Sequence, residues 1–191
     1  MPTVFEVLGG DHLEVKRMLA ELESGPTALT GASDSQLGLR KKMVEELIIE
    51  ESKHEALEEM YFWPAVRDLL PDGGQLADTA IHQEQEGKEV LDLLDKLKAD
   101  QPEFEGLISK FIPAGREHIS YEETRVWPLL RRALPEEESI SIGTKICLGR
   151  KTAPTRPHPH TPASPGVLKW AGPAVAAADQ LRDAATGRGK D

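Results

Sequence analysis

An eighteen-residue stretch that occurs twice constrains the fold of this chain more than any other feature. HEALEEMYFWPAVRDLLP begins at His54, and the related HISYEETRVWPLLRRALP begins at His118. Eight of the eighteen positions are identical, including the histidine, two adjacent glutamates and a Trp-Pro pair. Apolar residues recur at helical spacing through both stretches. The sequence therefore predicts two copies of one helix and favours a duplicated helix pair.

Helical periodicity extends over most of the chain. Thr3 and Glu6 have the spacing of a capping box at the start of the first helix. Pro64, Pro113 and Pro128 are expected to kink or end the helices that contain them. Four helices with short connections imply an all-α, antiparallel up-down-up-down four-helix bundle. The predicted helices cover residues 3–24, 34–70, 75–99 and 103–134, within a bundle domain at 1–138.

The remaining residues, 139–191, have a different composition. A short fifth helix is expected near residues 136–149. Five prolines between Pro154 and Pro165 predict an extended Pro-rich segment, because proline cannot continue a helix or a central strand. A short helix interrupted by Pro173 and a basic C-terminal tail are expected to follow.

Charge and hydropathy exclude several classes of partner. Residues 1–138 contain 15 basic and 30 acidic residues, whereas residues 139–191 contain 8 basic and 3 acidic residues. An acidic main domain repels nucleic acid and anionic lipid, so neither is an expected partner. The sequence has no apolar run long enough for a membrane span, and its N-terminus does not resemble a secretory signal. With Cys147 as its single cysteine, the chain is expected to be cytoplasmic.

The histidines of the predicted bundle follow a pattern typical of a metal site. Each predicted helix contains one histidine, and three of the four histidines are followed by glutamate four residues later. Residues at this spacing share one face of a helix, so their side chains can chelate one metal ion or bridge two. The candidate ligands are His12, His54, Glu58, His82, Glu86, His118 and Glu122.

This pattern also has a structural interpretation. A histidine on an inward face is often a hydrogen-bonded core residue, and Glu50, Glu51 and Glu55 are assigned to a solvent-facing side. The repeated motif, with one histidine in each helix, favours the metal site instead. Three carboxylates in a bundle core would be very costly without a compensating cation.

The order of these residues resembles the hemerythrin-like (HHE cation-binding) domains over about residues 1–135. The resemblance implies two non-haem irons in the bundle core, completed by an oxo or hydroxo bridge. It also implies roles for the candidate ligands. Glu58 and Glu122 would bridge the irons, His12 and His54 would hold one, and His82, Glu86 and His118 would hold the other.

The sequence departs from the oxygen-carrying members of that family at two positions. Those members have a histidine where Glu86 stands, and their last carboxylate is an aspartate five residues after its histidine. Here Glu122 follows His118 by four residues and Glu123 by five, so both remain candidates, although the repeat favours Glu122. Three glutamates and one hydroxide neutralise two ferrous ions, and an additional hard oxygen ligand favours Fe(III). This charge balance predicts reaction with an oxidant rather than oxygen transport.

Three functions are compatible with these residues. The leading hypothesis is a di-iron protein that binds or reacts with dioxygen, hydrogen peroxide or nitric oxide, with catalase-like peroxide decomposition as its activity. The alternative is an iron or oxygen sensor without turnover that signals through its C-terminal tail. The third is a metal-free helical scaffold. Manganese in place of iron stays open, and Tyr61 and Tyr121 are expected to be core residues more than iron ligands.

Overall fold

The computed structural model describes residues 1–160 and 165–188, with 165–171 described as backbone only. Every regular element in this part of the chain is helical, which confirms the all-α class expected from the sequence. The α-helices are Val4–Ser24 (α1), Asp34–Leu57 (α2), Trp63–Leu69 (α3), Gly73–Lys96 (α4), Pro102–Tyr121 (α5), Trp127–Ala133 (α6), Glu136–Gly149 (α7) and Pro165–Thr186 (α8). Two π-helical segments, Glu58–Phe62 and Glu122–Val126, connect α2 to α3 and α5 to α6.

Helices α1 to α6 form a four-helix bundle in which α2 with α3, and α5 with α6, each act as one long helix. Contacts join α1 to α2, α2 and α3 to α4, α4 to α5, and α5 back to α1. Helices that are neighbours in the sequence are therefore neighbours in space, as short connections require. The capping box expected at the start of α1 is present. The Thr3 hydroxyl accepts from the backbone N–H of Glu6, whose carboxylate accepts from the backbone N–H of Thr3.

Each copy of the repeated sequence contains a π-helical segment immediately before its Trp-Pro pair. The backbone N–H of Trp63 donates to the carbonyl of Glu58, and the N–H of Trp127 donates to the carbonyl of Glu122. A proline in an α-helix has no N–H to donate, and its ring collides with the carbonyl four residues earlier. The wider π turn accommodates this proline, so the helix continues beyond it. Helix α5 also continues through Pro113.

The buried apolar side chains divide into two clusters along the bundle. One cluster includes Leu8 and Trp63, and the other includes Val15 and Leu19. On α1, the buried His12 lies between Leu8 and Val15 and separates the two clusters. The bundle therefore contains a buried polar layer. Such a layer is stable only if its charges are paired and its polar groups are hydrogen-bonded.

Helix α7 corresponds to the short fifth helix that the sequence predicts near residues 136–149, and it packs along α1. Its residues Ile142 and Ile146 join the apolar cluster that contains Leu8. A Cβ atom at Gly143 would lie 2.6 Å from the carbonyl oxygen of Pro2. Glycine at this position therefore allows α7 to approach the N-terminal end of the bundle closely.

The residues after α7 also pack against the bundle. The Arg156 guanidinium contacts Asp95 of α4 at 2.6 Å and Asp183 of α8 at 2.7 Å. Residues 153–160 are not helical, in line with the proline pattern, whereas Pro162 lies outside the described residues. Helix α8 runs through Pro173, where the sequence predicts an interruption. None of the described helices combines the length and apolar character that a membrane span requires.

Candidate metal centre

Six buried side chains converge in the polar layer and form two overlapping groups. The first group contains His12, His54, Glu58 and Glu122, and the second contains Glu58, Glu84, His118 and Glu122. Within each group the candidate ligand atoms all lie within 4.8 Å of one another. Because Glu58 and Glu122 belong to both groups, two adjacent cation positions would share two carboxylates.

The atoms that face this centre make no hydrogen bond of good geometry with the described residues, although each histidine Nε2 lies 3.1 to 3.3 Å from an oxygen of Glu58 or Glu122. These atoms are Nε2 of His12, His54 and His118, both carboxylate oxygens of Glu58 and Glu122, and Oε2 of Glu84. The three glutamate side chains are at most 1% exposed. Burying a charged group without a partner costs roughly several kcal/mol. Imidazole nitrogens and carboxylate oxygens are also ligands that iron and manganese accept. These six residues therefore fit a pair of metal cations.

Burial and mutual repulsion control the protonation of the three glutamates. Burial, reinforced by the neighbouring carboxylate of Glu122, raises the pKa of Glu58 well above its ordinary value. Burial likewise raises the pKa of Glu84, although Lys88 opposes this change. A bound cation would favour the ionised form of both carboxyl groups and so oppose this rise in pKa.

Glu122 behaves differently because of a histidine beside it. Burial alone would raise its pKa, but the imidazole of His118 outweighs this effect and lowers the pKa. The two side chains approach to 3.1 Å between Nε2 and Oε1. Burial lowers the pKa of His118, yet the charge of Glu122 prevails and raises it to about 9. The positive charge of the protonated His118 ring thus compensates part of the negative charge of Glu122.

The Nδ1 atom of each candidate histidine ligand is oriented by an oxygen on a neighbouring helix. The pairs are His12 with Glu123 at 3.1 Å, His54 with Asp11 at 3.4 Å and His118 with Gln83 at 3.2 Å. Carboxylate and amide oxygens accept hydrogen bonds, so Nδ1 of each ring carries the proton. In the neutral ring, Nε2 then presents its lone pair to the centre. This is the arrangement in which histidine ligands are usually held.

The two tryptophans of the repeat each contact one candidate ligand. The indole N–H of Trp63 donates to Oε1 of Glu84 at 2.7 Å, which leaves Oε2 directed to the centre. Trp127 instead stacks on the ring of His12, with centroids 4.9 Å apart and an angle of 13° between the planes. The tryptophans of the repeated Trp-Pro pair therefore contact one candidate ligand in each half of the bundle, where one half is α1 to α3 and the other is α4 to α6.

A further group of buried carboxylates adjoins Glu84. The ammonium of Lys88 forms an ion pair with Glu59 and lies 3.6 Å from Glu55 and 3.9 Å from Glu84. Glu51 and Glu55 are 6% and 3% exposed. The assignment of these two residues to a solvent-facing side was therefore wrong. Both lie on α2 and are buried within the bundle, where Glu55 contacts Lys88 of α4.

The structure brings together five of the seven ligands that the sequence predicts. They are His12, His54, Glu58, His118 and Glu122. The other two, His82 and Glu86, lie on the solvent-facing side of α4, where their side chains are 75% and 69% exposed. This corrects the prediction for α4, whose residue at the centre is Glu84. Glu123 is not in either group; it contacts His12 and Lys16 instead.

The geometry of α4 explains this difference. Its buried residues include Ala77, Ala80, Glu84 and Leu91, which recur at intervals of three, four and seven residues. His82 precedes Glu84 by two residues and therefore lies about 200° around the helix. Alanines give this buried face only a weak apolar signal in the sequence. The His-x-x-x-Glu spacing therefore predicted the wrong face of α4.

A signal for Glu84 exists in the sequence as a correspondence between α1 and α4. When Lys16 is aligned with Lys88, two leucines of α1 align with Leu91 and Leu94. The same register aligns His12 with Glu84. Comparison of the first and third helices of the predicted bundle, and not only of the repeated motif, identifies this residue.

Known proteins resemble this chain in sequence and in fold. A family model described as the hemerythrin HHE cation binding domain matches residues 3–130. An uncharacterized hemerythrin-like protein of Schizosaccharomyces pombe is 29% identical over 164 residues, which cover 85% of this chain and 80% of the relative. The fold resembles the crystal structure of a hemerythrin HHE cation binding domain-containing protein from Mycobacterium kansasii. That likeness has a TM-score of 0.64 at 18% identity and covers 95% of this chain and 99% of the other. Since the family model matches well over half of its residues, the chain belongs to the hemerythrin HHE cation-binding domain family.

Proposed function

We propose that this protein is a non-haem di-iron protein that reacts with hydrogen peroxide, dioxygen or nitric oxide, with catalase-like peroxide decomposition as its leading activity. The observation that carries the proposal is the pair of overlapping ligand groups that share Glu58 and Glu122. Shared carboxylates suit two adjacent cations, and a metal pair held by these residues would supply Lewis-acid and redox chemistry. The small oxidant is the proposed ligand.

The composition of the ligand set supports reaction with an oxidant over oxygen transport. The six residues include three glutamates, Glu58, Glu84 and Glu122. With one hydroxide, three carboxylates neutralise two ferrous ions, and hard anionic oxygen ligands favour Fe(III) over Fe(II). Glu84 thus supplies the third carboxylate that the sequence predicted at Glu86. A centre that favours the ferric state should release dioxygen poorly.

The protein residues provide a preorganised, enclosed site. Bound iron would supply the redox chemistry and the open coordination positions. The chain itself orients the ligands through Asp11, Gln83 and Glu123 and holds Glu84 through Trp63. Apolar clusters enclose the polar layer on either side. Conversion of two peroxide molecules into one dioxygen and two waters balances electrons and protons without an external reductant.

The test compares two histidines that the sequence alone treats alike. Protein purified from iron-fed cells should contain about two irons per chain and consume added peroxide. The variant His54→Ala should lose both properties because His54 is a buried candidate ligand. The matched control His82→Ala should retain them because His82 is 75% exposed. Bound iron without peroxide consumption would contradict the catalase-like activity. Manganese instead of iron in the metal analysis would contradict the proposed cofactor.

A second candidate function, an iron or oxygen sensor, rests on the position of α8. This helix contacts the π-helical segment Glu58–Phe62, whose first residue is a shared candidate ligand. Metal loading could therefore change the packing of the C-terminal helix. A sensor predicts that metal alters protease cleavage within α8 while the protein leaves peroxide unchanged. An enzyme predicts turnover with the same cleavage in both states.

A further inference from the structure

Helix α7 ends at a point close to the candidate metal centre. Gly149 ends α7, and a short 3-10 turn, Arg150–Thr152, follows. A Cβ atom at Gly149 would lie 2.5 Å from Cδ2 of Leu57, which is adjacent to the shared ligand Glu58. This close approach places the side chain of Arg150 beside the bundle at the level of the candidate ligands.

Arg150 connects to one of these ligands through a single intervening carboxylate. Its guanidinium forms an ion pair with Oδ1 of Asp11, and Oδ2 of Asp11 accepts the Nδ1 hydrogen of His54 at 3.4 Å. The Nε2 atom of His54 faces the centre and makes no hydrogen bond of good geometry with the described residues. The Asp11 carboxylate is thus held between the His54 ring and the Arg150 guanidinium.

The hydrogen-bond partners of the other two histidines are not paired, in the described part of the chain, with a cation from outside the bundle. Glu123, the partner of His12, is held by Lys16, which lies on α1 within the bundle. Gln83, the partner of His118, is uncharged. Of the three candidate histidine ligands, His54 is thus oriented by a carboxylate whose cationic partner comes from outside residues 3–130, the part that the family model matches.

We propose that Arg150 is a positioning residue of the metal centre, which acts through Asp11 on the orientation of His54. The segment around the end of α7 is then part of the site that binds divalent cations, rather than an appendage to the bundle. The inference rests on the proposed di-metal site, because it concerns how tightly that site holds its cations. It does not depend on which oxidant the protein uses.

The expected effect follows from the usual influence of such partners. Residues that orient a metal-bound histidine typically change metal affinity by about 10- to 100-fold when they are replaced. The Arg150 side chain is 34% exposed, and solvent screens its interaction with Asp11. We therefore expect Arg150→Gln to weaken cation binding by about tenfold, the lower end of that range. The Lys151→Gln control replaces an adjacent, exposed cation and should leave binding unchanged.

The experiment titrates the metal-free full-length protein with cobalt(II) against a competing chelator and records the visible spectrum of the bound ion. Wild-type protein should bind two cobalt ions per chain, and R150Q should bind them about tenfold more weakly with a shifted spectrum. Absence of cobalt binding by the wild type would contradict the di-metal site itself. Two tightly bound ions with an unchanged spectrum in R150Q would overturn the role of Arg150 alone.

A double-mutant cycle distinguishes positioning from general stabilisation. If Arg150 acts through Asp11, the R150Q substitution should have no further effect on cobalt affinity in the D11N background. If Arg150 only holds α7 in place, both substitutions should weaken binding additively, which would overturn the inference. Arg150→Lys, which retains the charge, should restore most of the affinity. If R150Q does not fold, a cycle between Arg150→Met and D11N makes the same comparison, with thermal melting of the metal-free proteins as the folding control.

Discussion

The two halves of the bundle hold the candidate metal centre with the same plan but with different chemistry. The halves align through the repeated motif, which pairs His54 with His118, and through the register that pairs Lys16 of α1 with Lys88 of α4. Equivalent positions make equivalent contacts. The pairs are Asp11 and Gln83, His12 and Glu84, Lys16 and Lys88, His54 and His118, Glu58 and Glu122, Glu59 and Glu123, and Trp63 and Trp127.

The differences between these pairs make the two candidate cation positions unequal. One group offers two imidazoles and two carboxylates, whereas the other offers one imidazole and three carboxylates. The change from His12 to Glu84 at equivalent positions is responsible. Conversely, His54 has an ionised partner, Asp11, whereas His118 has the neutral Gln83. A duplicated scaffold therefore supports two positions with different charge.

The largest expected effect comes from the shared glutamates, for which the two halves should behave alike. Glu58→Gln and Glu122→Gln each remove a ligand that belongs to both groups. Each variant should therefore lose metal from both positions, with affinity reduced by at least about 100-fold. Metal analysis after dialysis against a weak chelator measures this loss. If either variant lost one ion and kept the other, the glutamate concerned would not be shared.

A smaller effect is expected from the tryptophans, for which the halves should differ. Trp63→Phe removes the N–H that holds Glu84, so metal affinity should fall by about tenfold. Trp127→Phe retains an aromatic ring beside His12, so affinity should fall by about threefold or less. Chelator competition on both proteins measures the difference. Equal losses would indicate that the indole N–H of Trp63 has no particular role.

The smallest effect on the metal centre is expected from Glu51, a carboxyl group that is present in one half of the bundle and belongs to neither ligand group. Its replacement should instead change the folding stability. Glu51 corresponds to Gly115 when the repeated motifs are aligned. Burial, with the neighbouring Glu55, raises the pKa of Glu51 from 4.5 to about 8. The folded protein therefore binds this proton more tightly than the unfolded chain, and stability falls as pH rises from about 4.5 to 8.

Glu51→Gln should remove this pH-dependent loss. In the metal-free protein the variant should gain stability relative to wild type between pH 5 and pH 8, by up to about 3 kcal/mol. Urea denaturation at both pH values measures the gain. The control Glu50→Gln replaces an adjacent glutamate that is 35% exposed and should show no such change. An equal stability difference at both pH values would contradict the burial of an ionisable Glu51.

Much of the fold could be predicted because its signals are local. The capping box at Thr3, the glycine-proline turns and the helical periodicity depend on residues close together in the sequence. The His-x-x-x-Glu spacing likewise located His54 and Glu58 on one helix face. These features needed no knowledge of which helices are in contact.

The remaining features could not be predicted in this way because they depend on packing between helices. The inward face of α4 is defined by alanines, and the partner helices decide that Glu84 faces inward and His82 faces solvent. The burial of Glu51 depends on residues far away in the sequence. Likewise, Arg150 and Asp11 are in contact although they lie 139 residues apart in the sequence. Only the three-dimensional arrangement brings these groups together.

The most direct test of the central claim is the iron content of two glutamine variants on α4. We expect Glu86→Gln to retain the wild-type content of about two irons per chain, because Glu86 is 69% exposed. We expect Glu84→Gln to retain about one iron or less, because Glu84 completes the second ligand group. Full iron content in Glu84→Gln, together with loss of iron from Glu86→Gln, would show that Glu84 is not a ligand and would overturn the proposed metal centre.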